Sequence, residues 1–529
     1  MAITAPPDET AWLLHHALGF AAMAPDDTAA VLAEAARFAE GVLAPLDAPG
    51  DATGARWQDG TVSVPQGFAE AHRAYAEAGW IGLSAAEAAG GQGLPEAIGL
   101  AVHEMVTSAN FAFGLCPLLT QDAILLLGRH GTADQQARFL PRLIGGDWNG
   151  TMCLTEPQSG SDLSGIRTQA VPDGAGGWRV SGQKIFITYG EHGMTENILH
   201  MVLARLPDAP AGSAGISLFA VPKRRADGSA NGVRCLAIER KLGIHASPTC
   251  VMEFADAAGE MVGAPNTGLA CMFAMMNAAR LGVAMQGVAV AERAFRRALA
   301  YAEERVQGGG AIVLHPDVRR MLLTMRALAL GGRLLTLYAA LAPEARAALL
   351  IPVAKAWATD AGVEAASLGV QVHGGAGFVE ATGAAQHLRD ARIAPIYEGT
   401  NGIQALTLLR RGLLRDQGAG CTALLAEIAA DEAATPALRH AAQLAADSAA
   451  WLRQAPAREA EAGATPFLAL LGTLTAGWLC ARVAALPEAP PGARVAATVF
   501  LEQVLPRVHF LAHTVITPSA ALVDLQPIL

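Results

Sequence analysis

The sequence predicts a mainly α protein with an inserted β domain: an N-terminal helical domain, a small antiparallel β-barrel-like domain, a four-helix bundle and an extra C-terminal helical domain. Three observations predict it. Alanine-rich stretches dominate and aromatics are only 5%, which favours helices packed closely on small residues. The texture changes between about Thr151 and Pro265, where short β-branched or apolar runs lie between turn residues. The chain has 529 residues, too many for one core, so several packed units are expected.

In residues 1–150, Thr28–Val42 and Phe68–Ala78 carry apolar residues at helical spacing, the second stopping at Gly79. Gly90–Pro95 reads as a loop and Glu96–Asn110 as a helix. Thr132–Leu143 is a short amphipathic helix, with Thr132 and Gln135 spaced as a capping box. In residues 151–265, Trp178–Thr188 alternates, and Asn197–Ala204, Ile216–Val221 and Thr249–Phe254 are further strands. Residues 266–412 return to long Ala/Leu/Arg-rich segments, punctuated by Gly308-Gly309-Gly310 and Gly374-Gly375-Ala376-Gly377, as in a bundle. Residues 413–529 form a helical extension. Leu486–Arg494 holds Pro487, Pro490, Pro491 and Gly492 and predicts a loop. Phe467–Cys480 is apolar for about 14 residues, short for a membrane span, so a buried helix is expected.

Hydrophobic residues make up 52% and charged ones 16%, which excludes a disordered chain. The net charge is −10 and the densest basic run is Lys223-Arg224-Arg225, so no nucleic-acid partner is expected. Only Lys184, Lys223, Lys241 and Lys355 are lysines, which reads as a compositional bias. Seven cysteines lie far apart without a CxxC pair, as free buried thiols in a reducing compartment do, and no metal site is expected. Met1–Asp8 lacks the basic and apolar regions of a secretory signal, so the expected location is cytoplasmic.

Four segments can carry chemistry. Leu154–Asp162 offers hydroxyls and free backbone N–H groups to a polar or phosphorylated ligand, or is an ordinary turn. Lys184–Gly190 places Phe186 and Thr188 on one strand face, toward a flat ring or toward the core. Gln371–Phe378 is glycine-rich and permits close backbone approach, but lacks the spacing of a dinucleotide fingerprint; His373 within it is a packing residue or a catalyst. Arg392–Asn401 sets Glu398 in an apolar context. There a carboxylate is either a base tuned upward by burial or a group interacting with a helix N-terminus.

In this order and at these separations, the four segments resemble the acyl-CoA dehydrogenase family over about residues 60–412. Lys241–Phe254, Met275–Val283 and the C-terminal extension with Gly477-Trp478 are similar to its longer, 3-methylmercaptopropionyl-CoA dehydrogenase-like branch. The resemblance implies FAD-dependent conversion of an acyl-CoA to a 2-enoyl-CoA, with Glu398 as base and its backbone N–H as a donor to the thioester oxygen. It implies that Met152, Leu154, Thr155 and Ser161 hold the cofactor, Ser161 also approaching substrate, and that Phe186 and Thr188 lie by the flavin ring. Arg305 would reach the cofactor pyrophosphate of a second subunit, Gln371, Gly375 and Thr400 the adenosine half, and Arg280 the CoA portion. Val306-Gln307-Gly308 and Gly402 depart from the family pattern.

The implied partners are an acyl-CoA, an electron-transfer flavoprotein and a second copy, as a homodimer or dimer of dimers; no membrane is expected. By resemblance Val106–Leu119 would line the acyl pocket, and Phe111, Phe113 and Leu118 would either shorten it or belong to the core. A short or medium acyl chain, or a thioether acyl group, is expected. The alternatives on the same fold are an oxygen-using oxidase and a DNA-binding flavoprotein.

Overall fold

A computed structural model describes residues 3–523; Met1 and Ala2 of the N-terminal stretch and the last six residues of the extension lie outside it. The chain divides into two compact units. One comprises Gly41–Gly99 and Ala109–Ala279; the other comprises the segment up to Glu40, Leu100–Ser108 and the chain from Arg280 onward.

The first unit is built on α1 (Phe111–His130), α2 (Ala133–Ile144) and seven strands. The Asn110 side chain caps α1 by accepting from the Phe113 N–H at 3.0 Å. The capping box on α2 forms as expected. Thr132 Oγ1 accepts from the Gln135 N–H at 3.2 Å, and Gln135 Oε1 accepts from the Thr132 N–H at 3.0 Å.

The strands are β1 (Trp148–Cys153), β2 (Gln169–Pro172), β3 (Trp178–Thr188), β4 (Asn197–Arg205), β5 (Ile216–Pro222), β6 (Val233–Ile238) and β7 (Thr249–Val262). β4, β2, β3, β7 and β5 pair in that order and β5 pairs back to β4, closing a barrel; β1 joins β4 and β6 joins β7. Closure leaves few open edges. The domain is mixed rather than purely antiparallel, because β1 and β2 both run parallel to β4. Parallel neighbours need a long crossover, and here the Leu154–Asp162 loop and the β2–β3 hairpin supply it. β7 also runs eight residues past the expected Phe254, across Ala- and Gly-containing sequence that carries little strand propensity of its own. Ile187, Val202, Phe219, Met252 and Phe254 fill the interior.

The second unit takes in α3 (Gly268–Glu304) from Arg280 onward, together with α4 (Pro316–Leu341), α5 (Glu344–His373) and α6 (Asn401–Thr407). α3 and α5 touch backbone to backbone. A Cβ on Gly287 would lie 2.3 Å from the Ala358 carbonyl oxygen, and one on Gly362 would lie 2.6 Å from the Gly287 oxygen. Only glycine fits at such a crossing.

The extension adds α7 (Pro436–Gln454), α8 (Ala457–Ala485), α9 (Pro491–Val499) and α10 (Arg507–Ile516). The loop expected over Leu486–Arg494 stops at Pro490. Pro491 takes the first turn of α9, where its missing N–H costs nothing. The apolar Phe467–Cys480 run belongs to a helix of 29 residues that passes through Pro466 and Arg482, twice the expected length. By length and composition, α1, α3 and α8 could each cross a membrane; here 83%, 61% and 83% of their apolar windows are buried inside the protein, as in core helices.

A charged cluster holds the second unit together. Arg333, fully buried, grips Glu104 through Nε (2.9 Å) and Nη2 (2.6 Å), and Nη2 also reaches Glu292 at 2.9 Å. Glu292 accepts further bonds from Arg326 Nη1 and Arg296 Nε, both at 2.7 Å, and Arg326 also binds Glu9. Three carboxylates thus face three guanidinium groups.

Candidate active site

Glu398 lies on a short turn between the Ala384–Ala391 helix and α6. Its φ is +56°, and the next residue, Gly399, has φ +87°. A non-glycine residue there is strained by about 1 kcal/mol or more, and surrounding contacts must hold it. They do. Gln404 Nε2 donates to the Glu398 carbonyl at 3.1 Å and to the Gly399 carbonyl at 3.2 Å. Lys355 Nζ donates to the Gly399 carbonyl at 2.9 Å, and Arg280 Nε approaches the Glu398 carbonyl at 3.4 Å. Tyr397, the residue before, bonds through its hydroxyl to Gln286.

The carboxyl group itself is pushed above its ordinary pKa by burial, against the pull of Arg280 and Lys355. That combination suits a base: disfavoured as an anion by its surroundings, yet kept within reach of ionisation by two cations. The helix-terminus alternative has no support, since α6 begins three residues later and is capped by Thr400, whose Oγ1 accepts from the Ile403 N–H at 3.3 Å. Thr400, expected near the adenosine half, therefore has its hydroxyl engaged in a cap. Arg280 is buried on α3, and its charge interacts with Glu398.

The first unit brings two of the other predicted segments together. Ile185 N–H donates to the Thr155 carbonyl at 2.9 Å, and Lys184 Nζ donates to the Leu154 carbonyl at 2.9 Å, so the Leu154–Asp162 loop lies along β3. Phe186 and Thr188 do not share a regular strand face. The β3–β7 register shifts between Lys184 and Ile187, Phe186 takes φ +61°, and its ring stands 58% exposed. A strained bulge that pushes an aromatic ring outward, beside half-buried Leu154, Thr155 and Thr188, fits a flat heterocyclic cofactor. Ser161 is exposed on the same loop and Met152 is buried on β1.

Sequence reasoning missed what fastens this loop. Glu156 is buried and accepts from Lys184 Nζ (2.8 Å), Thr168 Oγ1 (2.6 Å), the Thr168 N–H (3.0 Å) and the Arg167 N–H (2.7 Å). Burial disfavours its charge, but Lys184 and these donors overcome that and lower its pKa to about 2. The stability this group contributes is complete above its unfolded pKa near 4.5 and is lost as pH falls from there toward 2. Glu156→Gln should cost roughly 2 kcal/mol at pH 7 and flatten the loss of stability between pH 4.5 and 2. Urea unfolding at pH 7 and at both ends of that range measures it, and an unchanged midpoint at pH 7 refutes it.

In the second unit, Arg305 is exposed at the start of the Val306–Gln307/Gly310–Ala311 hairpin, and Gln371 is exposed at the end of α5. The two neighbourhoods meet where Tyr301 stacks on His373, with ring centroids 4.4 Å apart. His373 also binds the Gly369 carbonyl through Nδ1 at 2.7 Å, so it is a packing residue. Gly374 has φ +59°, and nothing lies within 4 Å of where a Cβ of Gly375 would be, which leaves the backbone open to a ligand. A cavity of about 440 Å³ is lined by Trp357, Asp360, Asn401, Thr473, Arg507 and Phe510 among others; none of the predicted site residues lines it. No group of three or more His, Cys, Asp or Glu able to hold a metal occurs among the described residues.

Three family models match the chain in order: the acyl-CoA dehydrogenase N-terminal domain over residues 25–147, the middle domain over 151–257 and the C-terminal domain over 266–413. The 3-methylmercaptopropionyl-CoA dehydrogenase of Ruegeria pomeroyi is 47% identical over 86% of this chain and 84% of its own length. A solved chain from the electron transferring flavoprotein of Acidaminococcus fermentans is 28% identical, with a TM-score of 0.66 over 75% of this chain and all of its own. Caenorhabditis elegans ACDH-11, solved with C11-CoA, shares the fold over 98% of this chain and 97% of its own, with a TM-score of 0.81 at 20% identity. The chain belongs to the acyl-CoA dehydrogenase family and is an oxidoreductase acting on acyl-CoA.

Proposed function

We propose that the protein is an FAD-dependent dehydrogenase of short or medium acyl-CoA thioesters, with 3-methylmercaptopropionyl-CoA as the first candidate substrate. The observation that carries this is Glu398: a carboxylate raised by burial, held on a strained turn and faced by Arg280 and Lys355. Glu398 takes the α-proton of the thioester onto its carboxylate oxygen. Its backbone N–H, fixed by the positive-φ turn, donates to the thioester oxygen as charge develops there. Arg280 neutralises part of the CoA. The β-hydrogen leaves with its electron pair, and FAD, when bound, supplies the acceptor for that hydride. Met152, Leu154, Thr155, Ser161, Phe186 and Thr188 are the residues that hold FAD from the β domain.

A second copy supplies Arg305, Gln371 and Gly375. Exposed Val306 follows Arg305, and exposed Phe378 (88% exposed) and Val379 lie within four residues of Gly375; they suit an interface between copies. An electron-transfer flavoprotein is the proposed acceptor, supported by the relative named for one. The seven cysteines are all free and buried, which supports the cytoplasm.

Anaerobic mixing of the flavin-loaded enzyme with a chain-length series of acyl-CoAs and 3-methylmercaptopropionyl-CoA tests the reading. Bleaching of the flavin band by short or medium thioesters is expected, and no bleaching by any of them overturns it. Slow reoxidation of the reduced enzyme by air is expected for a dehydrogenase; fast reoxidation would make it an oxidase.

A further inference from the structure

Lys355 is fully buried on α5, and its ammonium group donates to two acceptors: the Gly399 carbonyl at 2.9 Å and Asn401 Oδ1 at 3.0 Å. Asn401 is itself tied down, its Nδ2 donating to the Ala356 carbonyl (3.2 Å), Thr359 Oγ1 (3.1 Å) and Asp360 Oδ1 (2.8 Å). A buried ammonium is costly unless it is paired and bonded, and an apolar side chain would pack at this position without that cost. Its carbonyl partner is one residue past Glu398, in the second half of the positive-φ pair.

The charges around it form a small connected set, in which Asp360 also faces Arg392. Lys355 faces Glu398 and Asp360 as anions and Arg280 as a cation. Glu398 in turn faces Arg280 and Lys355, with the Tyr397 phenol beside it and Arg411 beyond Arg280. Burial lowers the Lys355 pKa to about 7, so its charge is sensitive to what surrounds it.

We propose that Lys355 is a positioning residue for proton abstraction: its ammonium pins the Glu398–Gly399 turn through the Gly399 carbonyl and places a positive charge beside the carboxylate. The inference rests on the reading of Glu398 as the base. Lys355 Nζ is bonded to the Gly399 carbonyl and Asn401 Oδ1, so it acts through the turn and through the field it sets there.

The test compares flavin-loaded Lys355→Met and Lys355→Arg with the parent and with Glu398→Gln, reading kcat, KM and the acid limb of the kcat–pH profile. Lys355→Met is expected to lower kcat by about 10- to 100-fold with KM changed less than threefold. Its acid limb should move up by about one pH unit, because loss of the cation makes the carboxylate harder to ionise. Lys355→Arg, which keeps the charge, should hold the limb near its parent position. Lys355→Gln is read in the same way if the Met variant does not fold. An acid limb that stays in place in the neutral variants overturns the proposal, whether kcat falls or not, since a merely structural lysine would leave it unmoved. Turnover by Glu398→Gln would instead remove the base assignment itself, and so separates the two failures.

Discussion

Glu398→Gln is expected to keep its bound flavin and its affinity for acyl-CoA and to lose about 10²- to 10⁴-fold in kcat, the range a positioned general base supplies. The amide is isosteric and still fits the turn that Gln404, Lys355 and Arg280 hold by its backbone carbonyls, so the backbone N–H donor stays in place. What is lost is the proton acceptor alone. The defect should therefore appear in kcat with KM little changed, since the group acts in the transition state rather than in ground-state binding. In the parent enzyme the acid limb of the kcat profile should lie above the ordinary carboxylate range, with activity rising as pH climbs through it, because burial raises the Glu398 pKa. Stopped-flow reduction of the flavin by acyl-CoA in both proteins measures this. A variant that reduces within tenfold of the parent rate would show that another group takes the proton.

The parts of the site written in local sequence could be read from it. The capping box at Thr132 needs only residues three apart, and the apolar setting of Glu398 is visible in its neighbours. The partners that make these groups work lie far along the chain. Lys355 reaches a carbonyl 44 residues away, and Lys184 a carboxylate 28 residues away. No periodicity reports such pairings. The scarcity of lysine, which reads as compositional bias, proves informative: all four lysines have specific partners, Lys223 on Glu191 and Lys241 on the Ser247 carbonyl. The alternation that puts Phe186 and Thr188 on one face fails for a related reason. A bulge shifts the register after Lys184, and bulges follow from cross-strand pairing that a single strand does not show. Likewise the parallel pairing of β1 with β4 depends on a crossover, not on either strand's composition.

A buried ion pair between distant segments predicts the largest loss of stability. Arg333 and Glu104 are 229 residues apart in sequence and fully buried against each other, and Arg333 also holds Glu292. Arg333→Met should destabilise the protein by about 3–5 kcal/mol, because both carboxylates stay buried while one loses its bidentate partner. Most of that cost comes from the uncompensated charge rather than from any net strength of the pair. The double variant Arg333→Met/Glu104→Met should therefore recover a large part of it, as two apolar side chains replace a buried ion pair of similar volume. Glu292 tolerates the change better than Glu104, since Arg326 and Arg296 still bind it. Urea unfolding midpoints of the parent, both single variants and the double variant decide the matter. Recovery in the double variant would assign the loss to charge burial, and a double variant weaker than either single one would assign it to the network as a whole.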